Sequence, residues 1–409
     1  MKIARHTRAL LSILCILGLS APGVSRAQAD PAVGQTLVGI DVFEAENFAP
    51  LVGKRIGLIT NQTGRDRAGS STIDVLAHAP GIKLVALFSP EHGIRGKEDE
   101  KVSSSTDAQT GLPIYSLYGE TTRPSGQMLA GIDALVFDIQ DAGVRFFTYI
   151  TTMGYAMEAA AQHHIAFYVL DRPDPLGGVR VEGPMLDRDK TSFVGYFPMP
   201  LQPGMTIGEM GRMFNAENHI GCDLHVIAMK NWDRSEWLDQ TGLPWVNPSP
   251  NLRSFTEELL YPGIEILQAG GVSVGRGTDK PFEQFGAPWI HAADLVAELN
   301  RRGISGVRFS PARFTPQSGL YAGQQCEGVA IEITDRSALD PIRVGFEAAS
   351  ALRKLYPAHF DVAKMIFLVG NARTIARLER GDSPGEIIAA WKSDLDAFRR
   401  IRAKYLLYP

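Results

Sequence analysis

Glu91 is the residue of this sequence best suited to acid–base chemistry. It follows an apolar run, lies directly behind Pro90, and has His92, Arg95 and two glycines close after it. A carboxyl group that is partly desolvated in a cleft can stay protonated near neutral pH and donate that proton in catalysis. The nearby glycines let the backbone approach a ligand closely. We therefore predict that Glu91 is a general acid, although a loop glutamate can also simply cap a helix or form an ion pair.

Four aspartates could supply a second carboxyl group. Hydrolysis of a glycosidic bond usually needs two, one as acid and one as nucleophile or base. The four candidates follow two apolar runs: Asp138, Asp141, Asp171 and Asp174. Asp141 and Asp171 could equally be structural, each paired with a nearby arginine. Arg95 and Arg145 could bind a substrate carboxylate bidentately, or only balance these acids.

Other kinds of site have less support. His92 could bind a metal, but no second His or Cys lies at ligand spacing, and we expect neither a metal nor another cofactor. Residues 271–275 (GVSVG) match the G-x-S-x-G pattern around Ser273, yet the preceding strand and following helix that a nucleophile elbow needs are not indicated. No G-x-G-x-x-G or Walker loop follows the first apolar run, so a dinucleotide site is not expected.

The candidate residues follow predicted strands of a parallel sheet. The pattern predicts strands over Arg55–Thr60, Lys83–Phe88, Ala134–Ile139 and Ile165–Leu170, with helices over Ser71–His78 and Phe147–Gln162. The loops after parallel strands emerge at one carboxyl edge, where open α/β sheets bind ligands. Each of these four loops combines Gly or Pro with charged or amide side chains, so we predict that this edge is functional.

The second half of the chain predicts further α/β structure. We expect helices over residues 205–218, Ala292–Arg301 and Pro384–Leu407, strands over Leu224–Met229 and Gly328–Thr334, and a proline-rich loop over Pro244–Arg253. The predicted fold class is α/β: a Rossmann-like parallel-sheet domain over residues 30–262, followed by a smaller α/β auxiliary domain over residues 263–409.

The composition and the N-terminal residues limit which classes of protein this chain can belong to. The 409 residues are 44% hydrophobic with a formal net charge of −4, which excludes a disordered chain and gives no basic excess for nucleic acid. A basic start precedes the apolar run Ala9–Leu19, and Ala27-Gln28-Ala29 fits a cleavage site, so residues 1–29 are predicted to be a signal peptide rather than a membrane anchor. We expect export to the periplasm or the medium. Cys222 and Cys326 could pair or stay free.

Several motifs in order give the chain a family resemblance. It resembles the exo-β-N-acetylmuramidases of the NamZ type, formerly a family of unknown function, over nearly all of the predicted mature chain. The stretches that carry the resemblance are GLITNQTG (57–64), SPEHGIRG (89–96), VFDIQDAGVRFFTYI (136–150), DRPDPLGG (171–178), PWVNPSPN (244–251), GRGTDKPFEQFGAPW (275–289), YAGQQCEGVAIEITD (321–335) and RAKYLLYP (402–409). One departure is Asp174, where the family commonly has Asn.

The resemblance implies an exo-acting glycoside hydrolase of cell-wall turnover, with a Rossmann-like catalytic domain and an auxiliary domain. Such enzymes release β-1,4-linked N-acetylmuramic acid from non-reducing ends of peptidoglycan fragments, so the implied partners are peptidoglycan-derived sugars or muropeptides. The family's proposed acid/base falls on Glu91. Substrate-binding or supporting roles are expected for Asn61, His92, Arg95, Gln140, Asp141, Arg145, Tyr149, Asp171, Arg172, Asn247 and Arg276.

Some alternatives stay open at this point. The nucleophile is either an aspartate at the sheet edge or the 2-acetamido group of the substrate itself. A serine esterase or amidase using Ser273 and a muropeptide-binding protein without catalysis remain competing functions. The sequence leaves the stereochemical outcome, the exact sugar or peptide substituent and the oligomeric state undetermined.

Overall fold

The computed structural model describes residues 34–96 and 103–409, and the predicted signal peptide lies outside them. Gly34–Pro409 clusters as one compact unit. In the part of the chain that the structure describes, no helix is both long enough and apolar enough to cross a lipid bilayer.

A mostly parallel sheet forms the larger layer. Seven strands of the described chain build it: β1 (Arg55–Thr60), β2 (Lys83–Ser89), β3 (Ser105–Thr106), β4 (Pro113–Ser116), β5 (Ala134–Asp138), β6 (Ala166–Leu170) and β7 (Leu224–Ile227). Their order across the sheet is β3-β4-β2-β1-β5-β6-β7. All neighbours are parallel except β3 and β4, which are antiparallel.

Successive side chains of the central strands enter two different hydrophobic cores. Ile59 and Phe137 belong to one core, whereas their neighbours Leu58 and Val136 belong to the other. Because side chains of a strand alternate between the faces, both faces of the sheet are covered. This explains why the strands are near-continuous apolar runs and why the sequence predicts them well. The expected parallel α/β sheet is confirmed.

Helices cover the sheet and build most of the second half. Within the described ranges they are α1 (Gly39–Ala45), α2 (Thr72–Ala77), α3 (Tyr149–Gln162), α4 (Ile207–Glu217), α5 (Phe255–Ala269), α6 (Ala292–Arg301), α7 (Pro341–Leu355), α8 (Ile366–Val369), α9 (Ala372–Arg380), α10 (Pro384–Ala389) and α11 (Lys392–Arg402). The sequence pattern did not predict α1, α5, α7, α8 or α9. The boundary proposed at 262/263 falls inside α5, and the division into domains stays a prediction.

A smaller antiparallel sheet organises the second half. It consists of β8 (Gln284–Ala287), β9 (Val307–Phe314) and β10 (Cys326–Ile333), in the order β8-β10-β9. Helices α5 and α7 pack together where Gly263 and Gly345 meet, because a Cβ atom at Gly263 would lie 1.7 Å from the carbonyl oxygen of Pro341. Side chains there would force the two helices apart.

The single long helix predicted over Pro384–Leu407 is wrong. Helix α10 ends at Ala389 and α11 begins at Lys392, with Trp391 between them. Trp391 is only 2% exposed, donates a hydrogen bond from Nε1 to Oγ1 of Thr374, and packs edge-on against Phe346. The chain turns to bury this indole, and periodicity alone does not reveal such a turn.

Residues at the C-terminal end of the described chain pack back onto the larger layer. Arg402 is 8% exposed and donates hydrogen bonds to the carbonyl oxygens of Gly178 and Gly204. The hydroxyl group of Tyr408 donates to Asp171, at the end of β6. The last helix and the residues after it therefore contribute polar partners to loops formed about 200 residues earlier in the chain.

Candidate active site

Glu91 lies in the turn that follows β2, at the carboxyl edge of the parallel sheet. The turn is closed by a hydrogen bond from the Gly93 amide to the Pro90 carbonyl oxygen, and His92 takes the left-handed backbone conformation at φ 68°. Gly96 then passes so close to Gln62 that a Cβ atom would lie 2.1 Å from that side chain. The loops after β1 and β2 are thus in contact, and Glu91 is left half-buried.

Two hydroxyl groups contact the Glu91 carboxylate. Oγ1 of Thr148 donates a hydrogen bond to Oε2 of Glu91, and the phenol of Tyr118 also hydrogen-bonds this carboxylate. Burial, and then the hydrogen bond and charge of Glu91, raise the pKa of Tyr118 to about 12, so its phenol stays a neutral donor at physiological pH. Two donors fix the carboxylate in one orientation.

Tyr149 and Asn61 form the wall beside Glu91. The buried Tyr149 hydroxyl donates to the carbonyl oxygen of Pro248 at 2.6 Å, and burial followed by the charge of Glu91 raises its pKa. Oδ1 of Asn61 accepts hydrogen bonds from the amide and hydroxyl of Thr63. Nδ2 of Asn61 makes no well-aligned hydrogen bond within the described residues, although the side chain reaches the Tyr149 phenol. Asn61 is only 3% exposed, so this amide faces the interior of the loop edge rather than solvent.

Asn247 lies on the proline-rich loop that approaches the same edge. Its carbonyl oxygen accepts a hydrogen bond from Nε2 of Gln62 at 2.6 Å, and its Oδ1 accepts one from Nε1 of Trp245. Asn247 itself is exposed. The loop is therefore held to the loop after β1, and through Pro248 to Tyr149.

Gln140 and Asp141 are built into the loop after β5. Nε2 of Gln140 donates to the carbonyl oxygens of Asp141 and Pro173, so this side chain joins two loops of the edge. Oδ2 of Asp141 accepts from the Gly143 amide, while its Oδ1 has no partner among the described residues. Burial raises the pKa of Asp141 to about 7.

Asp171 and Arg172 are buried polar anchors rather than exposed groups. Asp171 accepts hydrogen bonds from Thr206, Gly208 and Tyr408, and burial raises its pKa to about 6. Arg172 donates to both carboxylate oxygens of Asp138, at 2.6 and 2.9 Å. The ion pair considered between Asp171 and Arg172 is not formed, because the Arg172 guanidinium binds Asp138 instead.

The other predicted arginines are engaged elsewhere. Arg145 is fully buried and donates to the carbonyl oxygens of Pro184, Met199, Leu368 and Val369. Arg95 is exposed and pairs with Asp107 at 3.0 Å, and Arg276 pairs with Glu265 at 2.9 Å in the second half of the chain. Arg145 can affect the site only through the backbone that it holds in place.

The structure adds two residues that the sequence pattern missed, Tyr118 and Thr148. Tyr118 follows β4, a four-residue strand too short to recognise, whose Ser116 pairs in register with Ser89 of β2. A cavity of about 440 Å³ lies beside it, lined by Ser103, Ser104, Ser116, Gly119, Glu120, Thr121 and Met128. Within the described residues, no three His, Cys, Asp or Glu side chains are grouped to hold a metal.

Comparisons with known proteins agree with this arrangement. The family model described as exo-β-N-acetylmuramidase NamZ, N-terminal, matches residues 56–256, and the corresponding C-terminal model matches residues 259–408. The chain is 44% identical over 375 residues to the peptidoglycan β-N-acetylmuramidase NamZ of Bacillus subtilis (strain 168), covering 90% of this chain and 91% of that protein.

Two crystal structures share the fold. Both are DUF1343 family proteins from Bacteroides fragilis NCTC 9343. The first has a TM-score of 0.85 at 40% identity and covers 92% of this chain and 100% of the other. The second has a TM-score of 0.74 at 32% identity and covers 91% of this chain and 99% of the other.

Proposed function

The chain belongs to the exo-β-N-acetylmuramidase NamZ family and is therefore a glycoside hydrolase, and we propose that it releases β-1,4-linked N-acetylmuramic acid from the non-reducing ends of peptidoglycan fragments with Glu91 as general acid/base. The observation that carries the assignment of Glu91 is its half-buried carboxylate at the sheet edge, hydrogen-bonded by Thr148 and Tyr118. The predicted signal peptide supports export to the compartment that holds this polymer.

Glu91 acts first as an acid in this proposal. In its protonated form it gives its proton to the glycosidic oxygen as the bond to the sugar C1 breaks, and the leaving sugar departs as an alcohol. The resulting carboxylate then accepts a proton from the water that attacks C1. Thr148 and Tyr118 can donate hydrogen bonds to Glu91 in both steps, so the carboxyl group need not reorient between them.

Burial of the aspartates supports the substrate's own acetamido group as nucleophile. Glycoside hydrolases that lack a carboxylate nucleophile can use the carbonyl oxygen of a 2-acetamido group instead. The four aspartates after β5 and β6 are all at most 4% exposed: Asp138, Asp141, Asp171 and Asp174. Glu91, by contrast, keeps access to solvent.

The competing serine mechanism has little support from the fold. Ser273 is 3% exposed and forms an isolated backbone bridge with Gly286 instead of a turn between a strand and a helix. A nucleophile elbow projects its serine from such a turn. The variant Ser273→Ala is therefore a useful comparison for the test of Glu91.

The test is turnover of a chromogenic N-acetylmuraminide by Glu91→Gln. We expect kcat to fall by roughly a thousandfold, since glutamine keeps the shape but has no proton to give, while Ser273→Ala stays near the wild-type rate. A matching thermal unfolding curve shows that Glu91→Gln is folded. An unchanged rate in Glu91→Gln would remove Glu91 from the mechanism.

Two other results would reassign the function. Loss of activity in Ser273→Ala, with Glu91→Gln active, would indicate a serine esterase or amidase. A wild-type protein that binds muropeptides without turning them over would be a binding protein. Product analysis on defined muropeptides then tests exo action and the preferred sugar.

A further inference from the structure

Three described arginines that were predicted to serve an acidic substrate are already engaged by other groups of the protein. N-acetylmuramic acid carries a free lactyl carboxylate, and where a stem peptide is joined to that group by an amide bond, the carboxylates of the peptide carry the negative charge instead. Among the predicted arginines, Arg95 and Arg172 are paired with aspartates, and Arg145 is enclosed by carbonyl oxygens. The chain as a whole has a net charge of −4. Within the residues that the structure describes, a local group of cations elsewhere in the fold could supply the attraction to an anionic polymer.

A groove between α6, α7 and the start of α10 has such a group. Its volume is about 740 Å³, and its charged lining residues are Arg301, Arg302, Arg343, Arg353, Lys354, Glu298 and Glu347. Five cationic side chains face two carboxylates, a formal excess of three positive charges. Side chains from more than one helix converge on the groove, so the fold rather than one sequence run creates this excess.

The two carboxylates are shared among the cations. Glu298 accepts hydrogen bonds from Arg301, Arg302 and Lys354. Burial alone would raise its pKa, but these hydrogen bonds lower the pKa of Glu298 to about 2. The carboxylate therefore stays charged at any physiological pH, and the groove still carries an excess of positive charge.

Arg353 is the cation of the groove that no acidic side chain neutralises. Its guanidinium has no ion pair among the described residues, and the side chain is half-buried in the lining. Arg301 has a 65%-exposed side chain and shares Glu298 with two other cations. Guanidinium groups bind carboxylates bidentately. Arg301 and Arg353 can thus bind a ligand carboxylate, while Glu298 keeps its hydrogen bonds from Arg302 and Lys354.

We propose that this groove is a second binding site, separate from Glu91, for carboxylate groups of the cell-wall glycan. The identification of the bound polymer as peptidoglycan rests on the proposed function. A membrane surface fits the groove less well, because membrane docking uses apolar side chains beside the cations. The exposed large hydrophobic residues of the described chain, Val52, Val179, Leu320 and Phe367, do not line it. The groove would hold the polymer while the non-reducing end of that polymer is hydrolysed at Glu91.

The experiment compares binding to insoluble peptidoglycan sacculi, treated with hydrofluoric acid to remove phosphate polymers. The test variant is Arg301→Gln/Arg353→Gln. The matched control is Arg188→Gln/Arg400→Gln, which removes the same charge from two exposed arginines that have no ion pair within the described residues. Cosedimentation at low and high salt measures the affinity, and the chromogenic N-acetylmuraminide measures turnover.

We expect the groove variant to bind sacculi about fivefold more weakly at low salt, since each exposed charge contributes modestly. The difference should shrink at high salt. Chromogenic turnover should be unchanged in both variants. If wild-type protein lacked turnover, the proposed function would fail while the binding result still stood.

Three results would overturn the proposal. The first is equal binding by the groove variant and wild type. The second is an equal loss in the Arg188/Arg400 control, which would show that only net charge matters. The third is groove-dependent binding to anionic phospholipid vesicles, or only to sacculi that retain phosphate polymers, since the groove would then hold a different anion.

Discussion

Thr148 donates a hydrogen bond from its hydroxyl to the carboxylate of Glu91, and this contact joins the start of α3 to the turn after β2. Helix α3 is packed along the core of the sheet, so its first turn is a rigid support. The position of the acid is therefore set by a helix as well as by its own loop.

Removing the Thr148 hydroxyl should slow catalysis without unfolding the protein. A hydrogen bond to a charged group contributes about 1.5–3 kcal/mol, so we expect Thr148→Val to lower kcat roughly tenfold or more. Thr148→Ser keeps the hydroxyl and should retain most of the rate. Steady-state kinetics on the chromogenic substrate measures both. A Thr148→Val enzyme with wild-type kcat would show that the contact does not position Glu91.

Arg145 should matter for stability. Its guanidinium satisfies four buried carbonyl oxygens, two of them on α8. Arg145→Met fills similar space but leaves these acceptors without a donor, and we expect the free energy of unfolding to fall by about 3–5 kcal/mol. Urea unfolding measures the change. Exposed Arg188→Met should change it by less than about 0.5 kcal/mol, and a comparable loss there would contradict this account.

Three buried carboxyl groups should make the protein less stable as pH rises. Burial raises the pKa of Asp141 to about 7, and burial followed by mutual repulsion raises those of Glu258 and Asp174. The native state then holds protons that the unfolded chain releases. Their contribution to the free energy of unfolding therefore falls as pH rises from about 4 to about 7. We expect a higher melting temperature at pH 5 than at pH 8.

Asp174→Asn tests the origin of that dependence. An amide has the shape of the protonated carboxyl group and needs no proton. Its oxygen can still accept the hydrogen bond from the Leu176 amide. We expect higher stability at pH 8 and a flatter dependence of the melting temperature on pH. The exposed Asp279→Asn should leave the profile unchanged. An equally steep profile in Asp174→Asn would exclude Asp174 as a contributor.

Cys222 and Cys326 should resist thiol reagents in the native protein. Both are free and buried, and burial raises their pKa values to about 12 and about 11. The reactive thiolate is therefore scarce at neutral pH. Alkylation followed by peptide mass mapping should find both unmodified in the native state and modified after denaturation. A mass consistent with a bridge between them, or rapid native alkylation, would contradict the structure.

The sequence pattern predicts the local features of this fold well. Buried parallel strands are continuous apolar runs, and the loops after them are rich in glycine, proline and charge, so β1, β2, β5 and β6 and the turn at Glu91 could be located. The partners of Arg145 and Arg172 could not be identified. Arg145 binds backbone carbonyl oxygens, which every residue carries. Arg172 pairs with Asp138 although other aspartates lie closer to it in the sequence. The position of Tyr118 at this edge could not be predicted, because β4, the strand before it, has only four residues.

The contact between Tyr408 and Asp171 has a consequence for biosynthesis. Asp171 directly follows β6 of the larger layer, yet one of its hydrogen-bond donors is made 237 residues later. Arg402 likewise donates hydrogen bonds to the carbonyl oxygens of Gly178 and Gly204, which precede it by 224 and 198 residues. A ribosome that has finished β6 has therefore not yet produced the groups that complete its edge. The nascent larger layer therefore stays incomplete until the stretch through Tyr408 has emerged, which gives chaperones time to bind it.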